Sequence, residues 1–586
     1  MDSDGYVDDL DEFLSRPAPL PATREAVEEA RRLGMVVGGS LSQGLNVKLD
    51  RKAVVEGMAV GRYVVVRGQT GRRFFSIITD VALDATNPAI EKTPPDVSSP
   101  FIADVLQGTT TYGRLEVAPM LVLDPGAAGG NGAGAVEPKP VKTVPAHFSP
   151  VYEATEEDVN RVFGGADERH FYVGSPLDME DVRVHLNLDR LVERSSGVFG
   201  KSGTGKTFLT RTLLAGIVKH GVAVNLIFDM HNEYGWESQA EGRARVKGLR
   251  QLFPSCVSVM TLDEESSRRR GSKVDFVVRI GYDQIEPEDV DMLSTLMGLT
   301  DVQIGALYYL RRRLGKSWIE KLLAEEEVEP GAEAGPTEID TLLEEGKLHG
   351  GTLGAIQRKL GLLRRFDFLQ PRAHDDVVGR IMEYLDRGTH VILEFGRYGS
   401  TLEAYILVAN YLTRRIHSRY VQRKESALGK KSEEPRSLVI TIEEAHKFLD
   451  PLIARQTIFG TIARELRKYN VTLLVVDQRP SGIDEEVMSQ IGTRVTALLD
   501  NEADIRAVFN GVSGASELRQ VLARLDTRQQ ALILGHAVPM PVVVQTRTYG
   551  PELYAEVGHV EGEDLQERLT QNRSLMQVDE EFEGYD

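Results

Sequence analysis

Gly200-Lys201-Ser202-Gly203-Thr204-Gly205-Lys206-Thr207 reads G-x-x-x-x-G-K-[ST], the spacing of a phosphate-binding loop. Residues without Cβ let such a loop turn its backbone N–H groups inward around a polyphosphate. Lys206 is positioned to reach the β- and γ-phosphates, and Thr207 to hold a magnesium ion through its hydroxyl. A helix starting near Lys206 would point its positive end at the anion. The context fits: Gly197-Val198-Phe199 forms a short apolar approach, and Phe208, Leu209, Leu213 and Leu214 follow at helical spacing. Gly200, Ser202, Gly203, Thr204, Gly205, Lys206, Thr207 and Phe208 are therefore candidate nucleotide-binding residues, with ATP and Mg2+ as the implied ligands.

A phosphate loop needs a neighbouring strand that ends in carboxylates. Leu438-Val439-Ile440-Thr441-Ile442-Glu443-Glu444 supplies one. Glu443 is expected to bind magnesium through water and Glu444 to polarise the attacking water. Two glutamates opening a solvated helix would read alike, but a phosphate loop in the same chain favours the catalytic reading. Next, Leu474-Val475-Val476-Asp477 leads into Gln478-Arg479-Pro480-Ser481, and Gln478 is the candidate for sensing the γ-phosphate. The helix expected after the catalytic strand carries Arg455, Arg464, Arg467 and Lys468, and 464, 467 and 468 share one face at i, i+3, i+4 spacing. Arg464 and Arg467 are candidate arginine fingers. A solvated face paired with Glu465 is the commoner fate of such residues.

The rest of the chain is organised around this core. The expected fold is α/β, with six strand candidates at 222–228, 390–395, 438–442, 471–476, 495–499 and 531–534. Most are continuous apolar runs, as in parallel strands covered on both faces. Residues 170–284 and 371–550 form the two parts of this core, and 285–370 form an insertion whose leucines and isoleucines recur at helical intervals, from Leu293 to Leu363. Short β-rich runs between Gly-containing turns over 33–123 predict a small barrel or sandwich. The Gly/Ala/Pro-rich stretch 124–169 reads as a linker, residues 1–32 as an arm, and 551–586 as an acidic tail.

With 586 residues, 41% hydrophobic and 27% charged, the chain has the composition of a soluble protein with more than one domain. A single cysteine, Cys256, excludes an internal disulfide. With no uninterrupted apolar run of about 18 residues and an acidic opening unlike a signal peptide, the expectation is a cytoplasmic protein without a membrane span. The net charge of −19 excludes a surface that is basic all over. Much of that acid lies at the two ends and in Glu325-Glu326-Glu327, so a few basic loops remain compatible with nucleic acid. Arg268-Arg269-Arg270 with Lys273, and Arg358, Lys359, Arg364 and Arg365 on the insertion, are the candidates.

Taken in order, the phosphate loop, Phe228-Asp229-Met230-His231-Asn232-Glu233-Tyr234, Glu443-Glu444-Ala445-His446, Ala463-Arg464-Glu465-Leu466-Arg467-Lys468-Tyr469 and Gln478-Arg479-Pro480-Ser481 resemble the HerA family of hexameric DNA translocases, relatives of FtsK. The resemblance covers most of residues 33 to 550. It implies a RecA-like core, an N-terminal barrel, a helical insertion, a homohexameric ring moving on double-stranded DNA, and a partner nuclease of the NurA type that meets the barrel. It also implies that Asp229, His231 and Glu233 lie at the active-site edge. The pair Glu443-Glu444 departs from the Asp-Glu of many P-loop enzymes. Two other readings stay open: a nucleotide-regulated scaffold that recruits a nuclease or effector through its barrel, and a secretion- or conjugation-type coupling ATPase.

Overall fold

The computed structural model describes residues 31–558, apart from positions 97, 99–100, 102–104, 107–109, 124–137, 166, 178, 180, 240–244, 325–337, 374, 428–433, 455–456, 466–467, 513–514 and 527–528. The arm over 1–30, the tail beyond 558, the Gly/Ala run, Glu325–Glu327, Arg455, Leu466 and Arg467 thus lie outside the described residues. Two compact units divide the chain. One holds residues up to Val162 with Leu177–Val182 and Gly514–Val521, and the other holds the remainder.

Alternating apolar and polar residues over short segments make half-buried antiparallel strands, and the first unit is built of these. They are β1 (Arg32–Ser40), β2 (Gly44–Leu49), β3 (Tyr63–Arg67), β4 (Arg73–Ala85), β5 (Thr111–Leu123) and β6 (Pro150–Glu153). The order β2-β1-β6-β3-β4-β5, with β5 pairing back onto β2, closes a six-stranded barrel. Val36, Leu45, Val47, Val64, Val66, Leu115, Val117 and Val151 fill its interior. The closing strand comes from the stretch expected to be linker, which corrects the 33–123 boundary. Its four residues carry little signal of their own, yet β6 is held on both edges, with Tyr152 opposite Arg32 of β1 and opposite Val65 of β3. A following helix, Glu156–Phe163, is tied to β4 by an ion pair between Asp158 and Arg73.

The second unit is organised by a twelve-stranded sheet. In chain order it contains β7 (His170–Pro176), β8 (Val184–Asn187), β9 (Ser196–Phe199), α1 (Lys206–His220), β10 (Val224–Asp229), β11 (Val257–Thr261), α2 (Glu264–Arg270) and β12 (Phe276–Val277). The insertion carries α3 (Asp301–Leu314), α4 (Trp318–Ala324), α5 (Glu338–Glu344) and α6 (Gly350–Gly361). There follow β13 (His390–Glu394), α7 (Leu402–Ser426), β14 (Leu438–Glu443), α8 (Ile458–Glu465), β15 (Val471–Asp477), β16 (Thr493–Thr496), β17 (Gln530–Gly535) and β18 (Val542–Thr546). The spatial order is β12-β11-β13-β10-β14-β15-β9-β16-β17-β18-β7-β8. Strands β12 through β16 run parallel, and the last four are antiparallel. The central parallel strands β10, β13, β14 and β15 are buried at every position, which is why they read as unbroken apolar runs.

The insertion is clamped at its base, where Ile280-Gly281 pair in parallel with Leu369-Gln370. Leu307, Leu310, Leu353, Ile356 and Leu360 pack inside it, and the fully buried Trp318 donates its indole N–H to the Ile285 carbonyl at 3.1 Å. Leu296 is 41% exposed, because its short helix ends at Met297 before the apolar period can repeat.

Candidate nucleotide site

The loop between β9 and α1 has the backbone that phosphate binding requires. Gly200 has φ +153°, and a Cβ there would lie 2.8 Å from Thr204 Oγ1 and 2.9 Å from Ala497 Cβ. Gly203 and Gly205 also have positive φ, 78° and 88°. Gly205 caps α1, so the helix begins at Lys206 with its free N–H groups at the loop. Thr204 Oγ1 donates to the Lys201 carbonyl at 2.8 Å and Lys206 Nζ to the same oxygen at 2.9 Å. Burial pushes the Lys206 ammonium below its ordinary pKa, opposed by the charges of Glu444, Asp477 and Glu443. Ser202 is exposed on the loop, and Thr207 and Phe208 are half-buried on the first turn of α1.

Parallel pairing lines up carboxylates along the sheet edge beside this loop. Glu394, Asp229, Glu443 and Asp477 each end a strand, in the order β13, β10, β14, β15. Asp229 is fully buried and accepts from the backbone N–H groups of Glu233 (2.7 Å), Tyr234 (2.8 Å) and Gly235 (3.3 Å), so it shapes the loop that follows β10. Of the residues carried over with it, His231 is exposed and Glu233 half-buried. Tyr234 donates its hydroxyl to Glu443 Oε1 at 2.9 Å. Tyr405 of α7 grips the same residue's backbone, accepting from Glu443 N at 3.1 Å and donating to its carbonyl at 3.0 Å. Burial, then the charges of Asp229 and Glu233, raise the Glu443 carboxyl to about 8.

Glu444 lies in the left-handed region with φ +49°, a conformation rare for a residue with a long side chain and concentrated at functional sites. Gln478 Nε2 donates to Glu444 Oε1 at 3.0 Å. His446 Nδ1 lies 2.9 Å from Asp477 Oδ2 and 3.6 Å from Glu444 Oε2. The hydrogen bond that His446 donates to Asp477 raises the His446 pKa above its ordinary value. Among the described residues, Glu443 Oε2 is buried without a hydrogen-bond partner. Such an oxygen calls for a cation or water, and a half-buried lysine beside three carboxylates calls for an anion with a divalent ion. The donor set therefore fits a magnesium-bound nucleotide.

The basic candidates are dispersed. Arg464 donates to the Ala454 carbonyl of its own chain at 3.2 Å, and its Nη1 is buried without a partner among the described residues. Helix α8 is described as far as Glu465, and Lys468 lies in a turn with its ammonium 4.7 Å from the centre of the Tyr469 ring; Arg467 lies outside the described residues. Arg268 pairs with Glu264 at 2.6 Å and Arg269 with Glu265, both on α2, while Arg270 turns inward to Glu394. On the insertion, Lys359 donates to Gln303 Oε1 at 2.8 Å, Arg364 to the Leu323 carbonyl, and Arg365 pairs with Glu403 at 3.0 Å. Lys359 and Arg364 tie parts of the insertion to one another, and Arg365 ties it to α7. Lys273 and Arg358 are exposed.

Sequence reasoning missed Tyr234, Tyr405, Asp477, His446 and Glu394. Tyr234, His446 and Asp477 stand within the quoted motifs, whereas nothing local marks Tyr405 or Glu394. Glu394 predicts a pH dependence. Burial, then the charge of Asp229, raises its carboxyl from 4.5 to about 7. Between those values the folded state holds a proton that the unfolded chain releases, so stability falls as pH rises through this window. Thermal melts without nucleotide are expected to show that fall, and Glu394→Gln to make it shallower. An unchanged slope would remove Glu394 as a source.

Loop, carboxylate edge and parallel sheet together define a P-loop ATPase with a RecA-like core. The family model described as "Helicase HerA, central domain" matches residues 171–416. The DNA double-strand break repair helicase HerA of Sulfurisphaera tokodaii is 25% identical over 426 residues, covering 68% of this chain and 73% of that protein. Its counterpart in Sulfolobus acidocaldarius is 26% identical over 405 residues, with the same coverage. Among solved structures, the sulphate-bound trigonal form of the bacterial conjugative coupling protein TrwBdeltaN70 aligns with a TM-score of 0.44 and 12% identity, over 70% of this chain and 96% of that one. The centre of the chain thus matches the HerA central domain, and about two thirds of its length is similar to HerA helicases at 25–26% identity.

Proposed function

We propose that this protein is an ATP-driven DNA translocase or helicase that works as a homohexameric ring, with a partner nuclease meeting its barrel in the processing of DNA ends. The observation that carries the reading is the convergence of the phosphate loop, Glu443, Glu444 and Gln478 at one sheet edge in a chain with HerA relatives along about two thirds of its length. Lys206 and the loop N–H groups bind the phosphates. Thr207 and, through water, Glu443 would hold Mg2+, which neutralises phosphate charge. Glu444 polarises the attacking water. Gln478 shares its amide between Glu444 and the γ-phosphate, linking hydrolysis to the nucleotide's state.

The test is ATP hydrolysis by the full chain with and without duplex DNA. A motor speeds up on DNA, whereas a nucleotide-regulated scaffold keeps its basal rate, and that result would overturn the reading. A ring also places the sheet edge at an interface, where Arg464 or Arg467 supplies charge to the neighbouring site. Mixing Lys206→Ala with Arg467→Ala subunits, with exchange shown independently and coordination around the ring excluded by wild-type doping, is expected to return ATPase activity that neither has alone. Continued inactivity would place Arg467 outside a trans role, and the same mixture with Arg464→Ala decides between the two.

A further inference from the structure

Glu394 ends β13 directly opposite Asp229 of β10, so two buried carboxylates stand side by side at the sheet edge. Such a pair is costly unless a cation meets it. Arg270, the last residue of α2, does so, with its guanidinium 2.7 Å from Glu394 Oε2. Ser267 donates to the same oxygen at 3.1 Å and receives an Arg270 N–H at 3.2 Å. The other carboxylate oxygen lies against Gly235, where a Cβ would come within 2.8 Å of Oε1. Gly235 and Tyr234 both donate their backbone N–H to Asp229, and the Tyr234 hydroxyl holds Glu443. Asn232 of the same loop accepts from Gly396 N at 2.9 Å, two residues beyond Glu394. An unbroken chain of contacts thus runs from Arg270 to the strand-end carboxylate of the nucleotide site.

We propose that Arg270 is a positioning residue for ATP hydrolysis: it clamps Glu394 against the 229–235 loop and thereby fixes Tyr234 on Glu443. This removes Arg270 from the residues available to grip DNA. The inference rests on the ATPase reading, so one readout must be independent of turnover. Trp236, the residue directly after the clamped loop, is half-buried, while Trp318 is fully buried in the insertion, so a change in tryptophan emission that Trp236→Phe abolishes reports on the loop.

Arg270→Gln is expected to lower kcat about tenfold or more with KM for ATP nearly unchanged, because the loop orients the reacting groups and does not touch the phosphates. Glu394→Gln should do the same, and the double variant should be no slower than the slower single one, since both act through one contact. Arg270→Lys keeps the charge and should retain most of kcat. The Trp236 emission should shift together in the three impaired variants and return in Arg270→Lys. Effects of Arg270→Gln and Glu394→Gln that multiply, or an Arg270→Gln variant with normal kcat and unshifted Trp236 emission, would overturn the proposal. If the wild-type chain hydrolyses no ATP, the functional reading fails, and the clamp is judged on Trp236 emission alone. Should Arg270→Gln prove unstable, Gly235→Ala tests the same clamp from the loop side and must reproduce the kcat loss and the emission shift with Arg270 in place.

Discussion

Replacing Glu444 with glutamine is expected to stop ATP turnover while nucleotide stays bound. The change keeps size and hydrogen bonding but removes the charge proposed to polarise water, and positioned acid–base groups contribute roughly 10²- to 10⁴-fold to such reactions. Two features single out Glu444 over its neighbour. Its backbone is held at φ +49°, and its carboxylate is presented to Gln478 at 3.0 Å with His446 3.6 Å from the other oxygen. Glu443 is instead locked by two tyrosines and pushed toward its neutral form by burial. Loss of an interaction made only in the transition state lowers kcat without weakening ground-state affinity, so a fluorescent ATP analogue should bind normally. An unimpaired rate would move the role to Glu443.

Lys206→Ala is expected to fail one step earlier, at binding. Its side chain is half-buried at the phosphate loop, where the ammonium donates to the Lys201 carbonyl, and although burial lowers its pKa, the charges of Glu444, Asp477 and Glu443 act to keep it protonated. A hydrogen bond from a charged group is worth about 1.5–3 kcal/mol, so removing it should weaken nucleotide binding roughly 10- to 100-fold, with a larger loss in turnover. The loss should also leave three carboxylates facing the empty loop. Equilibrium titration with the same analogue measures this directly, and unchanged affinity would exclude Lys206 from the phosphates.

The parts of this molecule legible in its sequence are those whose physics is local. The phosphate loop announces itself because its glycines, lysine and threonine must be consecutive, and Glu443-Glu444 because a strand end puts neighbours in place. The parallel strands read as apolar runs since both faces are covered. What escaped was decided by register across long separations. Tyr405 reaches Glu443 from 38 residues away and Glu394 meets Asp229 across 165, and neither has a local pattern. The antiparallel edge β17-β18-β7-β8 is only partly visible, because β7 is mixed in polarity and β8 has four residues. Basic residues misled for the opposite reason. Charge density is obvious in a sequence, but whether a guanidinium faces solvent, as Arg268 does, or a buried acid, as Arg270 does, depends on a helix end that only the fold positions.

The barrel's closing strand bears on how the chain is made. Since β6 sits between β1 and β3, a nascent chain leaving the ribosome N-terminus first presents five strands with two open edges, and its first strand waits for residues 150–153 before the ring can shut. The Gly/Ala-rich run is translated in that interval. Loop-closure entropy grows only slowly with length, so the long separation in sequence between β5 and β6 delays closure while costing the finished barrel little. A chain released after residue 123 would carry both edges permanently exposed, the condition under which strands recruit other strands. The segment that looks dispensable therefore contains the four residues that let the domain leave synthesis as a closed barrel.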